Sequence, residues 1–367
     1  MTETPIYVTR SSLPPYEEYI EMLRPLWKSH KLTNMGDYHK KLEQDLQDFL
    51  EVPNISLIVN GHIALEMIIQ AMDFPIGSEI ITTPYTFIST THAIIRNNMV
   101  PVFCDIKLDD FTMDENKIES LITDKTVAIL PVHVYGNVCN YQKIDTIAKR
   151  NNLKVIYDAA HAFGETVNGL SVSSLGDASV LSFHATKVFN TIEGGAICFK
   201  DAGLYERLYN LKNFGIRSEE TVAAVGANGK MNEFSAAMGL CNLKYVDREI
   251  QNRKKKSELY DTYLSGQSNL RIRKADLNIT SNYGYYPILF STEEQRNNTY
   301  NKLREHNIFP RKYFYPITAD QECFHDTYKH CELLNARYVS NRILTLPLYA
   351  DIKESAIEEI CNLVITT

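Results

Sequence analysis

Four short apolar runs separated by helix-patterned residues constrain what this 367-residue chain can fold into. "SEIITTPY", "VPVFCDI", "TVAILPVHVYG" and "LKVIYDAAH" are rich in Val and Ile and end in turn or polar residues. "MDENKIESLIT" and "YQKIDTIAKRNN", which lie among them, carry helical spacing. Strands alternating with helices need crossover connections, so the pattern predicts a mostly parallel α/β sheet. Upstream, "YHKKLEQDLQDFLEV" and "HIALEMIIQAM" predict helices, the second opening after an Asn60-Gly61 turn. "ASVLSFHA" and "GGAICFK" add two strands. The pattern then changes. "MNEFSAAMGLCNLKYVDREIQNRKKKSELYDTYLS" predicts one long helix leading into a second region. There "NYGYYPILF", "EEQRNNTYNKLREHN", "TLPLY" and a last helix predict a smaller α+β domain of normal size. We set the boundary at Tyr245, giving a large domain of residues 1–245 and a small one of 246–367.

A formal net charge of −7 argues against nucleic acid or an anionic membrane as the main partner. An anionic ligand would be held locally, by backbone amides and a few placed cations. Seven scattered cysteines without a CxxC pair read as reduced thiols of a cytoplasmic chain. "MTETPIYVTRSS" lacks the basic and apolar regions of a signal peptide, and no apolar run reaches membrane-spanning length. The ten histidines form no HExxH or other ligand spacing, so no metal is expected.

Four stretches place unusual polar residues at strand ends, where ligands gather in open α/β sheets. In "LIVNGHIALEMII" the amides of Gly61, His62 and Ile63 could face an anion; a plain helix capped by Asn60 is the commoner arrangement. In "LKVIYDAAHAFG", Asp158 follows a buried strand and needs a donating or cationic partner. It either caps the next turn or meets a ligand, and His161, one helical turn on, either packs or faces the same ligand. In "VLSFHATKVFNTIEGGAICF", Ser182 and Lys187 flank a short turn between apolar runs. Lys187 is there a costly cation, paired with Glu193 or snorkelling, unless a lowered pKa lets it form a Schiff base. In "TTPYTFISTTH", Phe87 offers either core packing or a ring face to a flat ligand.

Taken together these stretches resemble the DegT/DnrJ/EryC1/StrS sugar aminotransferase family. The resemblance runs from "LTNMG" through "TTPYTFIST", "PVFCDI", "PVHVYG", "YDAAHAFG", "SFHATK", "EGGA" and "GANGKMNEFSAAMGL" to "LPLY", nearly the whole chain. It implies the aspartate-aminotransferase fold of pyridoxal-phosphate enzymes (fold type I), with helices on both sides of the sheet, and pyridoxal 5'-phosphate as cofactor. Lys187 matches the lysine that bonds the cofactor and later moves protons as a free amine. Asp158 matches the carboxylate on the pyridine nitrogen, Phe87 the ring that stacks on the cofactor, and Gly61, His62 and Ser182 the phosphate contacts. Asn228 matches an asparagine reaching the phosphate from the neighbouring subunit, which implies a homodimer with shared sites. Relatives often have Ser-Gly-Thr where this chain has Asn60-Gly61-His62, which removes the usual hydroxyl, and Gln where His161 stands.

The implied chemistry moves an amino group from L-glutamate, which leaves as 2-oxoglutarate, to a nucleotide-linked keto sugar. His-Ala-Thr-Lys followed by Glu-Gly-Gly goes with amination at C4; relatives acting at C3 more often carry Tyr-Pro-Gly-Lys. "SFHATKVFNTIEGG" therefore points to C4 of a 4-keto-6-deoxy sugar of the kind used in bacterial O-antigen, with His184 shaping the pocket. A 3-keto sugar, or a GDP- or UDP-linked one, is the alternative. Arg311, Lys312 and Tyr313 in "FPRKYFYP", with Lys230, are candidates for holding the nucleotide; a solvated basic pair is the other reading.

Overall fold

The computed structural model describes residues 4–273 and 276–367. Seven strands form the central sheet: β1 (Asn54–Ile58), β2 (Glu79–Thr82), β3 (Val100–Phe103), β4 (Thr126–Leu130), β5 (Lys154–Asp158), β6 (Ala178–Ser182) and β7 (Gly195–Phe199). Their order is β1-β7-β6-β5-β4-β2-β3, and only β7 runs antiparallel to its neighbours. The expected mostly parallel α/β sheet is therefore present.

Side chains alternate across a strand, and here both faces are covered. Leu57, Ile81, Ile129, Val155, Tyr157 and Leu181 pack on one face with Leu42 and Leu46 of α2 (Asp37–Phe49) and Ile144 of α5 (Tyr141–Arg150). Ile58, Ile80, Leu130, Ile156 and Val180 pack on the other face with α3 (Gly61–Ala71), α4 (Ser89–Arg96) and α6 (Leu204–Lys212). The parity of Ile156 and Val180 places Asp158 and Ser182 on this second face, at the carboxyl ends of β5 and β6.

Two helical predictions need correction. "MDENKIESLIT" is turns with one short 3-10 segment, Glu119–Leu121. The Asp114 carboxylate accepts from the Asn116 backbone N–H, and this local turn competes with helix. The single long helix is two, α7 (Glu233–Leu243) and α8 (Val246–Leu264), broken at Lys244–Tyr245. The break lets nearly all of α7 lie buried against α1 (Tyr16–Ser29) and α2, while the polar α8 packs on the C-terminal helix, Glu354–Ile365.

Beyond α8, β8 (Leu270–Ile272), β9 (Tyr286–Phe290) and β10 (Ile343–Leu346) make an antiparallel sheet in the order β8-β9-β10. Near the N-terminus, Ile6–Tyr7 pairs with Ile308–Phe309 and joins this region's core. Tyr85, Phe103 and Tyr135 share a further apolar cluster with Leu289, Phe314 and Ile343. Among the described residues no helix is long and apolar enough to cross a membrane.

Candidate active site

Asp158 ends β5 at 5% exposure, and its two oxygens accept from Thr90 Oγ1 (2.8 Å) and from the Ala160 N–H (3.1 Å). Thr90 is itself buried on α4, so the helix covering this face delivers the donor. Burial raises the Asp158 pKa, opposed by these two hydrogen bonds and by the Lys187 charge. A carboxylate offers about four acceptor positions and these contacts use two, so capacity for a cationic N–H donor remains. The segment after Asp158 is a turn, not a helix.

Lys187 is half-buried in the loop after β6. Its Nζ donates to Tyr285 Oη at 3.1 Å. Glu193 instead faces His184, whose Nε2 stands 3.6 Å from Glu193 Oε1 on an exposed turn. His161 packs its ring 4.3 Å from that of Tyr285. Burial, aided by the Lys187 charge, pushes the His161 pKa well below its ordinary value. The ring is therefore neutral, and because Nδ1 accepts the Tyr135 N–H (3.0 Å), Nε2 carries the hydrogen and is a donor.

At the start of α3, Asn60 Oδ1 caps the Ile63 N–H at 2.8 Å, the expected N-cap. The Gly61 and His62 N–H groups find no acceptor among the described residues, as the first turn of a helix leaves them. A side chain at Gly61 would put its Cβ 2.9 Å from Ser182 Cβ, so only glycine lets the helix end sit on the end of β6. The His62 ring is committed elsewhere, Nδ1 to Ser89 Oγ (2.8 Å) and Nε2 to Glu66 (2.9 Å), leaving the backbone amide as that residue's free donor.

Phe87 is 59% exposed and lines a cavity of about 480 Å³ with Arg311, Lys312, Tyr313, Tyr300 and Tyr315. Lys312 donates to Asn297 (2.7 Å) and stands over the Tyr300 ring at 4.5 Å. Lys230 is not on that wall; it is buried, with its ammonium 5.0 Å over Phe214. Asn228 is exposed and bridges Asn213. The structure thus brings Asp158, Lys187 and His161 together, seats Gly61 on Ser182, joins Phe87 to Arg311 and Tyr313, and leaves His184 on the exposed turn before Lys187, Asn228 exposed and Lys230 buried, outside the Phe87 cavity.

Thr90, Tyr135 and Tyr285 escaped the sequence reading. Tyr285 had a usable signal: Tyr286 turns into the small sheet's core, so alternation sends Tyr285 to the other side. A clamp holds this segment. The Asn282 N–H (3.0 Å) and Ser281 Oγ (3.3 Å) donate to Glu165 Oε1, and Asn282 Nδ2 donates to the His161 (2.9 Å) and Phe163 (3.1 Å) carbonyls. Glu165 is 1% exposed, packs against Gly136 (φ +82°), and burial pushes its pKa up to about 8.

Residues 16–365 match the DegT/DnrJ/EryC1/StrS aminotransferase family. The chain is 42% identical over 362 residues to a dTDP-4-amino-4,6-dideoxy-D-glucose transaminase of Shigella dysenteriae, covering 98% of each. It is 41% identical over 371 residues to one of Escherichia coli, covering 100% of this chain and 99% of the other. A crystal structure of DesI in the presence of its TDP-sugar product superposes with a TM-score of 0.94 at 28% identity, covering 100% of this chain and 93% of that one. The match spans both sheets and every residue of the strand-end site, and the chain belongs to the DegT/DnrJ/EryC1/StrS aminotransferase family.

Proposed function

We propose that this chain is a pyridoxal 5'-phosphate enzyme that moves the amino group of L-glutamate to C4 of dTDP-4-keto-6-deoxy-D-glucose, giving dTDP-4-amino-4,6-dideoxy-D-glucose for polysaccharide synthesis. The observation that carries the reading is a buried carboxylate with acceptor capacity to spare, Asp158, beside a half-buried amine, Lys187, whose hydrogen-bond partner is a phenol. The two C4-transaminase relatives support the choice of sugar.

The residues present fit the cofactor. Asp158 would hold the protonated ring nitrogen, whose charge offsets the burial that raises the carboxyl's pKa. The Gly61 and His62 amides and Ser182 would take the phosphate, since the Asn60-capped helix end leaves those N–H groups open. His161, neutral with its hydrogen on Nε2, would donate to the ring oxygen. Phe87 would cover the ring. When bound, the cofactor supplies an aldehyde that carries the amino group and a ring that withdraws electrons. Lys187 would attach it and, as a free amine, would carry a proton between the substrate carbon and the cofactor carbon that flank the transferred nitrogen.

Arg311, Lys312 and Tyr313 would hold the nucleotide in the cavity beside Phe87, with His184 toward the sugar. Asn228 would act on the phosphate across a homodimer interface, whereas Lys230, buried over Phe214, stands outside the nucleotide cavity. The helix break at Lys244–Tyr245 supports dividing the chain into 1–245 and 246–367, with Ile6–Tyr7 joined to the second part. All seven cysteines are free thiols, which supports a cytoplasmic enzyme.

The test is incubation with L-glutamate and dTDP-4-keto-6-deoxy-D-glucose, followed by NMR of the product. An amine on C4 with gluco configuration is expected. Amination only of a 3-keto sugar, or of GDP- or UDP-sugars in preference, would overturn the assignment.

A further inference from the structure

Lys187 must do two things in such a cycle: bond the cofactor, and wait beside it as a free amine while substrate occupies its place. A free lysine on a flexible four-carbon stem needs something to hold it during the second task. Among the described residues Tyr285 Oη is the only hydrogen-bond partner of Lys187 Nζ, at 3.1 Å, and no carboxylate pairs with it. Nζ donates one N–H to the phenol oxygen, and this contact fixes where the nitrogen sits.

The phenol is fixed from both sides. Upstream, Asn282 is pinned by Glu165 and by the His161 and Phe163 carbonyls, and the Gly284 N–H donates to Asn282 Oδ1 at 2.9 Å. Downstream, Tyr286 enters β9, stacks on Tyr260 at 4.6 Å and donates to Asp261 at 2.7 Å. Between them Tyr285 lies against the His161 ring. One clamp therefore sets the phenol, the imidazole and, through the phenol, the amine.

We propose that Tyr285 is the rest for the Lys187 amine: a positioning residue that holds Nζ in place whenever the lysine is not bonded to the cofactor. The proposal rests on the aminotransferase reading above. The waiting amine takes a proton from one of the two carbons that flank the transferred nitrogen and returns it to the other, so no proton is gained or lost overall. The same waiting state occurs with glutamate and with the sugar. Tyr285→Phe must therefore slow both half-reactions by a similar factor.

The experiment is single-turnover kinetics of each half-reaction with wild type and Tyr285→Phe holoenzyme. Expected is a 10- to 100-fold fall in the rate constant of both, roughly the cost of a misplaced group, with each substrate's apparent Kd unchanged. A fall in one half-reaction alone, or a rise in Kd, would make Tyr285 a substrate contact and overturn the proposal; unchanged rates would do so too. A second readout is independent of turnover. In the cofactor-free protein, Lys187 should be acylated by a small amine-reactive reagent several-fold faster in Tyr285→Phe than in wild type, located by peptide mass mapping. Equal labelling would contradict the hold. Wild type that transaminates neither substrate would instead defeat the underlying functional reading.

Discussion

Asp158 and Glu165 lie on one segment, "DAAHAFGE", and both carboxyls are buried, with pKa values raised by that burial. Their surroundings separate them. Asp158 ends a central strand, takes one hydrogen bond on each oxygen and lies in the field of Lys187. Glu165 sits off the sheet and spends Oε1 on two donors from the 281–282 turn, while its buried Oε2 has no partner among the described residues. One carboxylate faces a ligand's place; the other ties two chain segments together. The lysines divide the same way. Lys212, at 3% exposure, is satisfied by Ser56 Oγ (2.8 Å), the Leu57 carbonyl (3.3 Å) and Glu43 (3.7 Å). Among the described residues Lys187 has only the Tyr285 phenol. Burial and a shifted pKa thus do not by themselves mark function; what distinguishes Asp158 is its place at the carboxyl end of a central strand, in the field of Lys187.

The contrast can be broken by substitution. Lys187→Ala should cut turnover by at least about 10⁴-fold, because both attachment and proton transfer go with it. Lys212→Met should lower stability and leave the site chemistry in place, and equal loss of turnover in both would erase the distinction. Asp158→Asn keeps the shape and removes the charge, and should lower kcat by roughly 10²- to 10³-fold. A holoenzyme unaffected by it would show that the ring nitrogen is not held there.

Glu165 gives a stability prediction with a definite sign. Its folded pKa, about 8, lies above the ordinary 4.5, so its contribution is complete below 4.5 and is lost as pH rises through about 8. Urea unfolding of the cofactor-free protein should show stability falling between pH 5 and pH 9 by a few kcal/mol, on the order of 3. Glu165→Gln should make that slope shallower by the Glu165 share, and a slope unchanged by the substitution would contradict the clamp. The smallest effect belongs to Thr90→Val, which removes one of the two donors to Asp158. Weakening of cofactor binding by about 5- to 10-fold is expected from the loss of one hydrogen bond to a charged group, measured by fluorescence titration.

Local pattern made much of this readable. The strand runs, the Asn60 cap and the isolation of Asp158 and Lys187 in apolar stretches follow from periodicity and from the cost of burying charge. What stayed hidden depends on distant parts of the chain meeting. Thr90 reaches Asp158 because α4 covers the face on which β5 presents it, and Tyr285 reaches Lys187 because the small sheet packs against the strand ends. The misread "MDENKIESLIT" has helical spacing but yields to an Asp114 turn, and the α7–α8 break follows from two helices packing on different partners.

The most direct measurement is to load the protein with pyridoxal 5'-phosphate, reduce it with borohydride and map the labelled peptide. The account predicts label on Lys187, with none after Lys187→Ala. Label on Lys212 or Lys230, or stoichiometric label that survives Lys187→Ala, would contradict it.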